Sequence, residues 1–97
     1  MSIWYVYVLV SDNTHYVGCT TNVERRLKQH NGQARGGAKF TRGRAWSLGT
    51  VYGPFPSRSK AQSAELRVKR YRGCKRLQVP ELEIVSLQRP GVPPISK

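Results

Sequence analysis

The first twenty residues carry the hydrophobic pattern of a β-hairpin. Residues 3–10 are almost all β-branched or aromatic, which is typical of a strand. Turn-forming residues occupy positions 11–14, and the strand pattern resumes at His15. The apolar run is too short to span a bilayer, and no positive segment or cleavage site accompanies it as in a signal peptide. We therefore expect two antiparallel strands that begin a sheet.

Hairpin pairing places two tyrosines on one face of this sheet. For a two-residue or a four-residue turn, Tyr7 faces Gly18 and Tyr16 faces Leu9. The tyrosines are then diagonal neighbours, roughly 7–8 Å apart at the backbone. Because Gly18 fills no space, we expect backbone or ligand to approach closely there. The alternative, that the tyrosines only cover the core, is the better reading of this feature alone.

Two helices and a third strand follow. The capping-box sequence 21–24 predicts a helix that begins after Thr21, with Glu24 reaching back, and runs to about His30, where Asn31-Gly32 ends it. Residues 46–52 alternate well enough for a strand, which the segment Gly53-Pro54-Phe55-Pro56 should break. Ser57 is a plausible N-cap for a second helix to about Arg72.

The first predicted helix places two polar side chains at the border of its buried stripe. Arg26 and His30 are four residues apart, along the edge defined by Val23 and Leu27, while Arg25, Lys28 and Gln29 fall on the opposite, solvated side. Arg26 could clamp a phosphate and neutralise developing charge. His30 could exchange a proton near neutral pH, or merely bond nearby backbone at the helix end.

Glu65 is the acidic residue that most needs an explanation. It projects within the apolar stripe of the second helix, where a carboxylate must be compensated by a cation. An arginine, a divalent metal or the lysine four residues on, Lys69, would serve. One carboxylate with waters and substrate oxygens suits Mg²⁺. Glu65 is therefore the candidate metal ligand.

Charge indicates a polyanionic partner. The chain has 17 Lys and Arg against 5 Asp and Glu, a formal net charge of +12, which favours binding to phosphates. A glycine-rich segment, 31–45, is interpreted as a basic loop that suits a phosphate backbone, with Arg35, Lys39, Arg42 and Arg44 as its candidate contacts. Cys19 and Cys74 lack the spacing of a zinc site or disulfide framework, so we expect free thiols in an intracellular, reducing compartment such as cytoplasm or nucleus.

These residues together resemble a known family. The resemblance rests on Tyr5-Val6-Tyr7, Tyr16-Val17-Gly18, Asn22, Arg26, His30-Asn31-Gly32, Gly36-Gly37-Ala38, Thr41, Trp46, Phe55-Pro56-Ser57, Ala61 and Glu65. The pattern over residues 4–72 is similar to the GIY-YIG endonuclease domain, especially to the nuclease half of a eukaryotic enzyme that trims branched DNA. Tyr5 stands where glycine is usual, and the zinc-binding domain of that enzyme is absent from this sequence.

The resemblance implies an α+β fold, a small three-stranded antiparallel sheet flanked by helices in the order β-β-α-β-α. It implies a nuclease domain over residues 1–77, and we expect residues 78–97 to form a partly docked extension, with 82–87 as a short strand or docked segment. It also implies Mg²⁺- or Mn²⁺-dependent hydrolysis of DNA phosphodiester bonds. The enzyme would select its DNA by structure (branched, flap or single-stranded) and act in repair or recombination. No organic cofactor or membrane is expected. A homodimer or protein partner stays open, since a small cleft could need one to grip a duplex.

Residue roles carry over from the same resemblance. Glu65 matches the metal ligand, Arg26 the phosphate-stabilising arginine, and His30 an assisting position. Tyr7 is favoured as the base or its relay, and Tyr16 as the group that orients water or phosphate. Free tyrosine has a pKa near ~10, so a phenol acts as base at neutral pH only if Arg26 and the metal lower that value; otherwise it only receives a proton from metal-activated water.

Two other classes of function compete with a nuclease. A non-catalytic nucleic-acid-binding module would keep the charge, but would be expected to have lost Tyr7, Arg26 or Glu65, and all three are present. A small basic structural protein of a ribonucleoprotein explains the charge but not the position of Glu65. The sequence therefore favours the nuclease.

Overall fold

The computed structural model describes residues 2–32 and 45–85. The elements are β1 (Trp4–Ser11), β2 (Thr14–Thr20), α1 (Val23–His30), β3 (Ser47–Phe55), α2 (Arg58–Lys69) and a short 3-10 helix (Gly73–Leu77). The strands form one antiparallel sheet with the order β2-β1-β3. The predicted α+β class and the order β-β-α-β-α are confirmed.

The hairpin has the predicted register. Tyr7 faces Gly18 and Leu9 faces Tyr16. The turn consists of two residues, Asp12-Asn13, and Asp12 has a φ of 53°. A positive φ is what the tight turns of twisted hairpins require, and aspartate tolerates it better than most residues do.

Helix α1 begins one residue later than predicted. Its N-cap is Asn22 and not Thr21, since the Asn22 side chain accepts a hydrogen bond from the Arg25 N–H at 3.0 Å. The Asn22 N–H donates in turn to the Thr20 hydroxyl at 3.1 Å. Glu24 lies in the first turn, where its charge suits the helix dipole. The predicted end at His30 is confirmed, with Asn31 as the C-cap.

Strand β3 is longer than predicted. Gly53-Pro54 does not break it, because the strand continues to Phe55, which pairs with Trp4 of β1. In the three-stranded sheet β3 is an outer strand, a position where a proline that lacks an N–H is tolerated. On its other side the Gly53 N–H donates to the Glu83 carbonyl at 3.1 Å.

Helix α2 is shorter than predicted. The N-cap at Ser57 is confirmed, but the helix ends at Lys69 and not near Arg72. The Arg76 guanidinium donates to the Lys69 carbonyl at 3.3 Å and to the Tyr71 carbonyl at 2.8 Å. An arginine beyond the helix thus satisfies carbonyls near the helix end, where the chain turns away.

The core lies on both faces of the sheet. One face packs against α2, through buried Val6, Val8, Val17, Tyr52, Ala61, Ala64, Val68 and Val79. The other face packs against α1 and the start of β3, through buried Tyr7, Leu9, Val23, Trp46, Leu48 and Val51. Alternation along β2 therefore directs its odd-numbered residues towards α2 and its even-numbered residues towards α1.

The segment after the 3-10 helix docks on β3. Val79 is 2% exposed, and Ile84 forms an isolated antiparallel bridge with Tyr52. This bridge lies in the predicted strand or docked segment 82–87, whose last two positions fall outside the described residues. No helix in the described part of the chain has the length and apolar character needed to cross a membrane.

Candidate active site

Tyr7 is the central residue of the α1 face. It lies on the middle strand, is 1% exposed, and its hydroxyl is 2.9 Å from Nε2 of His30. A Cβ atom built on Gly18 would lie 2.5 Å from the Tyr7 hydroxyl and 2.7 Å from its Cζ. The predicted close approach at Gly18 is observed, but the expectation that backbone or ligand makes it is wrong, because the approaching group is the Tyr7 side chain.

Tyr16 and His30 enclose the Tyr7 ring. The ring centroid of Tyr16 lies 6.4 Å from that of Tyr7 and 4.7 Å from that of His30. Trp46 meets Tyr16 edge-on at 6.2 Å. Such tilted and edge-on contacts are the favoured geometry for aromatic pairs and hold each ring in place. The diagonal placement predicted for Tyr7 and Tyr16 is observed.

Arg26 completes this group from one turn earlier in α1. Its Nη1 donates to the Gln29 side-chain carbonyl at 2.6 Å, and its Nη2 lies 3.3 Å from Nε2 of His30. A guanidinium has only donors, so Nε2 must be the acceptor, and His30 carries its proton on Nδ1. The Tyr7 O–H then also donates to Nε2. The sequence placed Gln29 on the solvated side, but its contact with Arg26, three residues away, keeps it part-buried.

Burial keeps both members of the central hydrogen bond neutral. Burial first, and then the charge of Arg26, lowers the pKa of His30 to about 4. Burial raises the pKa of Tyr7 to about 12, although the hydrogen bond and charge of Arg26 act in the opposite direction. Arg26 alone therefore does not make the phenol a base near neutral pH, because desolvation of the phenolate outweighs the attraction of the guanidinium.

Glu65 lies on the other side of the sheet. Its side chain is 19% exposed on α2, and its carboxylate is 2.8 Å from the ammonium of Lys69. Burial, followed by a hydrogen bond to Glu65, raises the pKa of Cys19 to about 11, so the neighbouring thiol stays protonated. The ion pair with Lys69, one of the alternatives for Glu65, is thus present in the structure.

The structure divides the five catalytic candidates between the two faces of β2. Tyr7, Tyr16, Arg26 and His30 are brought together on the α1 face. Glu65 contacts Cys19. Because neighbouring residues of a strand point to opposite faces, Cys19 and Gly18 lie on different faces of β2, and Glu65 is therefore on the face opposite to Gly18. Because β2 is an outer strand of the described sheet, a phosphate that contacts both groups would have to lie at its edge.

Comparison with known proteins identifies the domain. Residues 3–77 match the family model of the GIY-YIG catalytic domain. The chain belongs to the GIY-YIG family. The match spans all five catalytic candidates, and the resemblance carried by the two tyrosine motifs is confirmed.

Relatives from different organisms share most of the GIY-YIG domain. A UPF0213 protein of Nitratidesulfovibrio vulgaris is 50% identical over 70 residues, covering 70% of this chain and 61% of the relative. A UPF0213 protein of Haloquadratum walsbyi is 44% identical over 78 residues, covering 79% and 85%. A structure-specific endonuclease subunit SLX1 homolog of Cryptosporidium parvum is 38% identical over 79 residues. That match covers 77% of this chain but 19% of the SLX1 homolog, so the similarity concerns one domain of a longer protein.

Glu65 is the candidate metal ligand of this GIY-YIG domain, and no cluster of donors surrounds it in the described part of the chain. In residues 2–32 and 45–85, no group of three or more histidine, cysteine, aspartate or glutamate side chains could hold an ion. Glu65 is a hard oxygen donor with part of its side chain exposed, which fits a hydrated Mg²⁺ that takes its other ligands from water and phosphate. Lys69 occupies that carboxylate and would have to move away.

Some contacts at the site were not identified from the sequence. Asn31 exchanges two hydrogen bonds with the Trp46 backbone, from its Nδ2 at 2.9 Å and to its Oδ1 at 2.5 Å. This contact joins the end of α1 to the start of β3, and no local pattern signals it. Both cysteines are free thiols as predicted, but the contact of Cys19 with Glu65 was missed. The basic candidates Arg35, Lys39, Arg42 and Arg44 lie outside the described residues.

Proposed function

We propose that this chain is a metal-dependent DNA endonuclease that hydrolyses phosphodiester bonds. The observation that carries the proposal is the hydrogen-bonded group of Arg26, His30 and Tyr7 on one face of a GIY-YIG catalytic domain, in which Tyr7 and His30 are buried. Its guanidinium offers donors to a phosphate, and its phenol and imidazole offer a path for a proton. The net charge of +12 supports a nucleic acid as substrate.

Tyr7 is the relay in the proposed mechanism. The attacking water transfers a proton to the phenol oxygen as its own oxygen bonds to phosphorus, and the phenol proton passes to Nε2 of His30. The bond from phosphorus to the leaving oxygen of the DNA breaks, and that oxygen takes a proton from solvent. Tyr7 thus stays neutral throughout, which matches a phenol whose pKa is raised to about 12. The negative phosphate favours the protonated imidazole, so substrate raises the proton affinity of His30 at the step that needs it. Arg26 neutralises the charge that develops on the phosphate.

Glu65 would hold Mg²⁺ or Mn²⁺ in this scheme. When bound, the ion would polarise the phosphate and assist ionisation of the attacking water. The chain's own contribution is the partly exposed carboxylate, whose negative charge is balanced by the Lys69 ammonium, 2.8 Å from the carboxylate oxygen. A buried or half-buried carboxylate without a cation would be costly, so exchange of one cation for another is cheaper than release of the lysine alone.

Branched, flap or single-stranded DNA is the proposed substrate class. Support comes from the SLX1 homolog, whose name describes a structure-specific endonuclease subunit. It also comes from the small size of the domain, whose longest extent is 31 Å in its described part. That surface favours recognition of a short stretch of backbone at a junction, as would occur in repair or recombination. A homodimer or a protein partner would extend the contact.

The test is cleavage of labelled single-stranded, duplex, flap and four-way DNA with Mg²⁺, with Mn²⁺ and with a chelator. We expect wild type to cut at least one branched or single-stranded substrate only when metal is present. Glu65→Gln should abolish cutting while retaining binding. Glu83→Gln makes the same change of charge at an exposed carboxylate and should cut normally. Cutting by Glu65→Gln at the wild-type rate would remove Glu65 from the mechanism.

A second candidate is a nucleic-acid-binding module without catalysis. The Glu65–Lys69 ion pair favours it, because a carboxylate already paired at 2.8 Å has no need of a metal. In the same cleavage experiment this module would bind every substrate and cut none, with wild type and Glu65→Gln indistinguishable.

A further inference from the structure

A basic pocket lies away from the Tyr7 group, between the hairpin turn and the end of α2. Its volume is about 510 Å³, and it is lined by Asn13, Thr14, His15, Lys69, Arg72, Gly73 and Arg76. Three of these residues carry permanent positive charge, and none is acidic. The lining therefore has the composition of an anion site, with hydroxyl and amide groups added to the cations.

Arg76 is a fixed element of this pocket. Its guanidinium donates to the backbone carbonyls of Tyr71, His15 and Lys69, at 2.8, 3.4 and 3.3 Å. These bonds use three of the five N–H groups that a guanidinium carries, so two are left for a ligand. The charge is held in place by the fold, and binding of an anion would require little further ordering of this side chain.

His15 supplies a second sign of a ligand. Its Nδ1 is buried and has no hydrogen-bond partner within the described part of the chain. A buried polar atom without a partner costs free energy, which a ligand oxygen could recover if Nδ1 carries the proton. Arg72 is exposed, and its guanidinium forms no hydrogen bond or ion pair with the residues that the structure describes.

Lys69 connects the pocket to the candidate metal carboxylate. It lines the pocket and also pairs with Glu65. Along β2, His15 and Cys19 lie on the same α2-facing side, and Cys19 contacts Glu65. Four residues of strand span about 13 Å, which corresponds to a few nucleotides of one DNA strand.

We propose that this pocket binds a backbone phosphate of the DNA, a few nucleotides from the bond to be cut. The identity of the ligand rests on the proposed function, but the pocket itself does not depend on catalysis. Arg76 and His15 would fix the phosphate, and Arg72 would approach it from solvent. If Glu65 held a metal, the Lys69 ammonium would be released from that carboxylate and could turn to the same phosphate, so metal and DNA would each favour binding of the other.

Phosphate binding can be measured without any cleavage. Metal-free ¹⁵N-labelled protein is titrated with inorganic phosphate against sodium chloride of equal ionic strength, and amide and side-chain NMR signals are followed. We expect saturable shifts confined to residues 13–15 and 69–76. Arg72→Gln should weaken phosphate binding about fivefold or more. Arg70→Gln removes the same charge from the same end of α2 outside the pocket and should bind as wild type does.

Oligonucleotides then distinguish the sources of phosphate. A single-stranded oligonucleotide without terminal phosphates should compete with inorganic phosphate at these signals. Competition only by a 5′-phosphorylated strand would overturn the backbone assignment, as would equal effects of Arg70→Gln and Arg72→Gln or shifts spread over the whole basic surface. If phosphate binds in the pocket as expected and wild type cuts no DNA, the phosphate site is supported and the proposed nuclease activity is contradicted. If wild type cuts DNA but phosphate does not bind, the nuclease activity is supported and the phosphate site is contradicted.

Discussion

His30 is a buried imidazole that the fold keeps neutral. It is 2% exposed and accepts hydrogen bonds at Nε2 from Tyr7 and Arg26. A protonated imidazole could accept neither bond and would lie beside a guanidinium. The proposed role of His30 as proton acceptor therefore depends on the same contacts that make its protonation costly in the folded protein.

Acid should destabilise the protein through this residue. The folded pKa of His30 is about 4 against an ordinary 6.5, so between these values the unfolded chain binds the proton and the folded chain does not. Stability then falls as pH drops through this range, by about 3 kcal/mol in total, and levels off below it. Urea unfolding at several pH values should show this slope in wild type and in His15→Gln, which replaces the other histidine, but not in His30→Gln.

A slope that persists unchanged in His30→Gln would mean that other groups cause the loss of stability in acid. Any contribution from other groups is common to all three proteins. The difference between wild type and His30→Gln is therefore the informative quantity.

The sequence predicts the position of the site residues better than their partners. Pairing in a hairpin is local, so the facing of Tyr7 and Gly18 follows from the register alone. Two contacts depend instead on rotamers that neighbouring elements select. They are the packing of the Tyr7 ring over Gly18 and the hydrogen bond from Arg26 to Gln29. The face of the sheet on which Glu65 lies depends on how α2 packs, which no local spacing specifies.

The start of α1 positions both Arg26 and His30, and one side chain caps it. Because Asn22 accepts from the Arg25 N–H, Asn22→Ala should lower the free energy of unfolding by about 1 kcal/mol. Thr21→Ala should change it by no more than a few tenths of a kcal/mol, since Thr21 lies outside the cap and is exposed. Thermal and urea unfolding of the two variants measure the difference; a larger loss for Thr21→Ala would restore the cap predicted from the sequence.

The ends of β3 and α2 show where local signals fail. Gly53-Pro54 is a strong breaker in isolation, yet Phe55 finds a partner in β1 and the strand continues. The helix pattern continues to Arg72, but Arg76 satisfies carbonyls near the end of α2 and the chain leaves the helix earlier. In both cases a contact from outside the element decides the boundary, whereas the caps at Ser57 and Asn31 are local and were predictable.

The candidate functional groups lie on opposite faces of one three-stranded sheet. The Tyr7 group lies on the α1 side, whereas Glu65 and the basic pocket lie on the α2 side. A DNA strand that serves all of them must cross the edge of β2, since β1 and β3 cover the rest of the sheet. A single strand or a junction bends around such an edge more readily than a straight duplex, which is a physical reason for the proposed substrate class.

Substitutions of two classes of arginine should therefore have different effects, one mainly on the cleavage rate and the other mainly on DNA binding. Arg26 is held by Gln29 and His30 at the proposed scissile phosphate. Arg26→Ala should lower the single-turnover cleavage rate by a factor of about 100 or more, while the dissociation constant for DNA changes little. Arg26→Lys keeps the charge but not the planar fork, and should recover only part of the rate.

Arg42 belongs to the basic loop predicted to grip the backbone. Arg42→Ala should weaken binding at every DNA sequence and reduce the slope of log K against log salt by about 1, while saturating enzyme restores nearly the full cleavage rate. Fluorescence anisotropy at several salt concentrations gives the binding term, and single-turnover cleavage gives the rate. If each substitution affects binding and cutting equally, the charge on this molecule is one continuous phosphate-binding surface, and Arg26 has no separate role at the reacting phosphate.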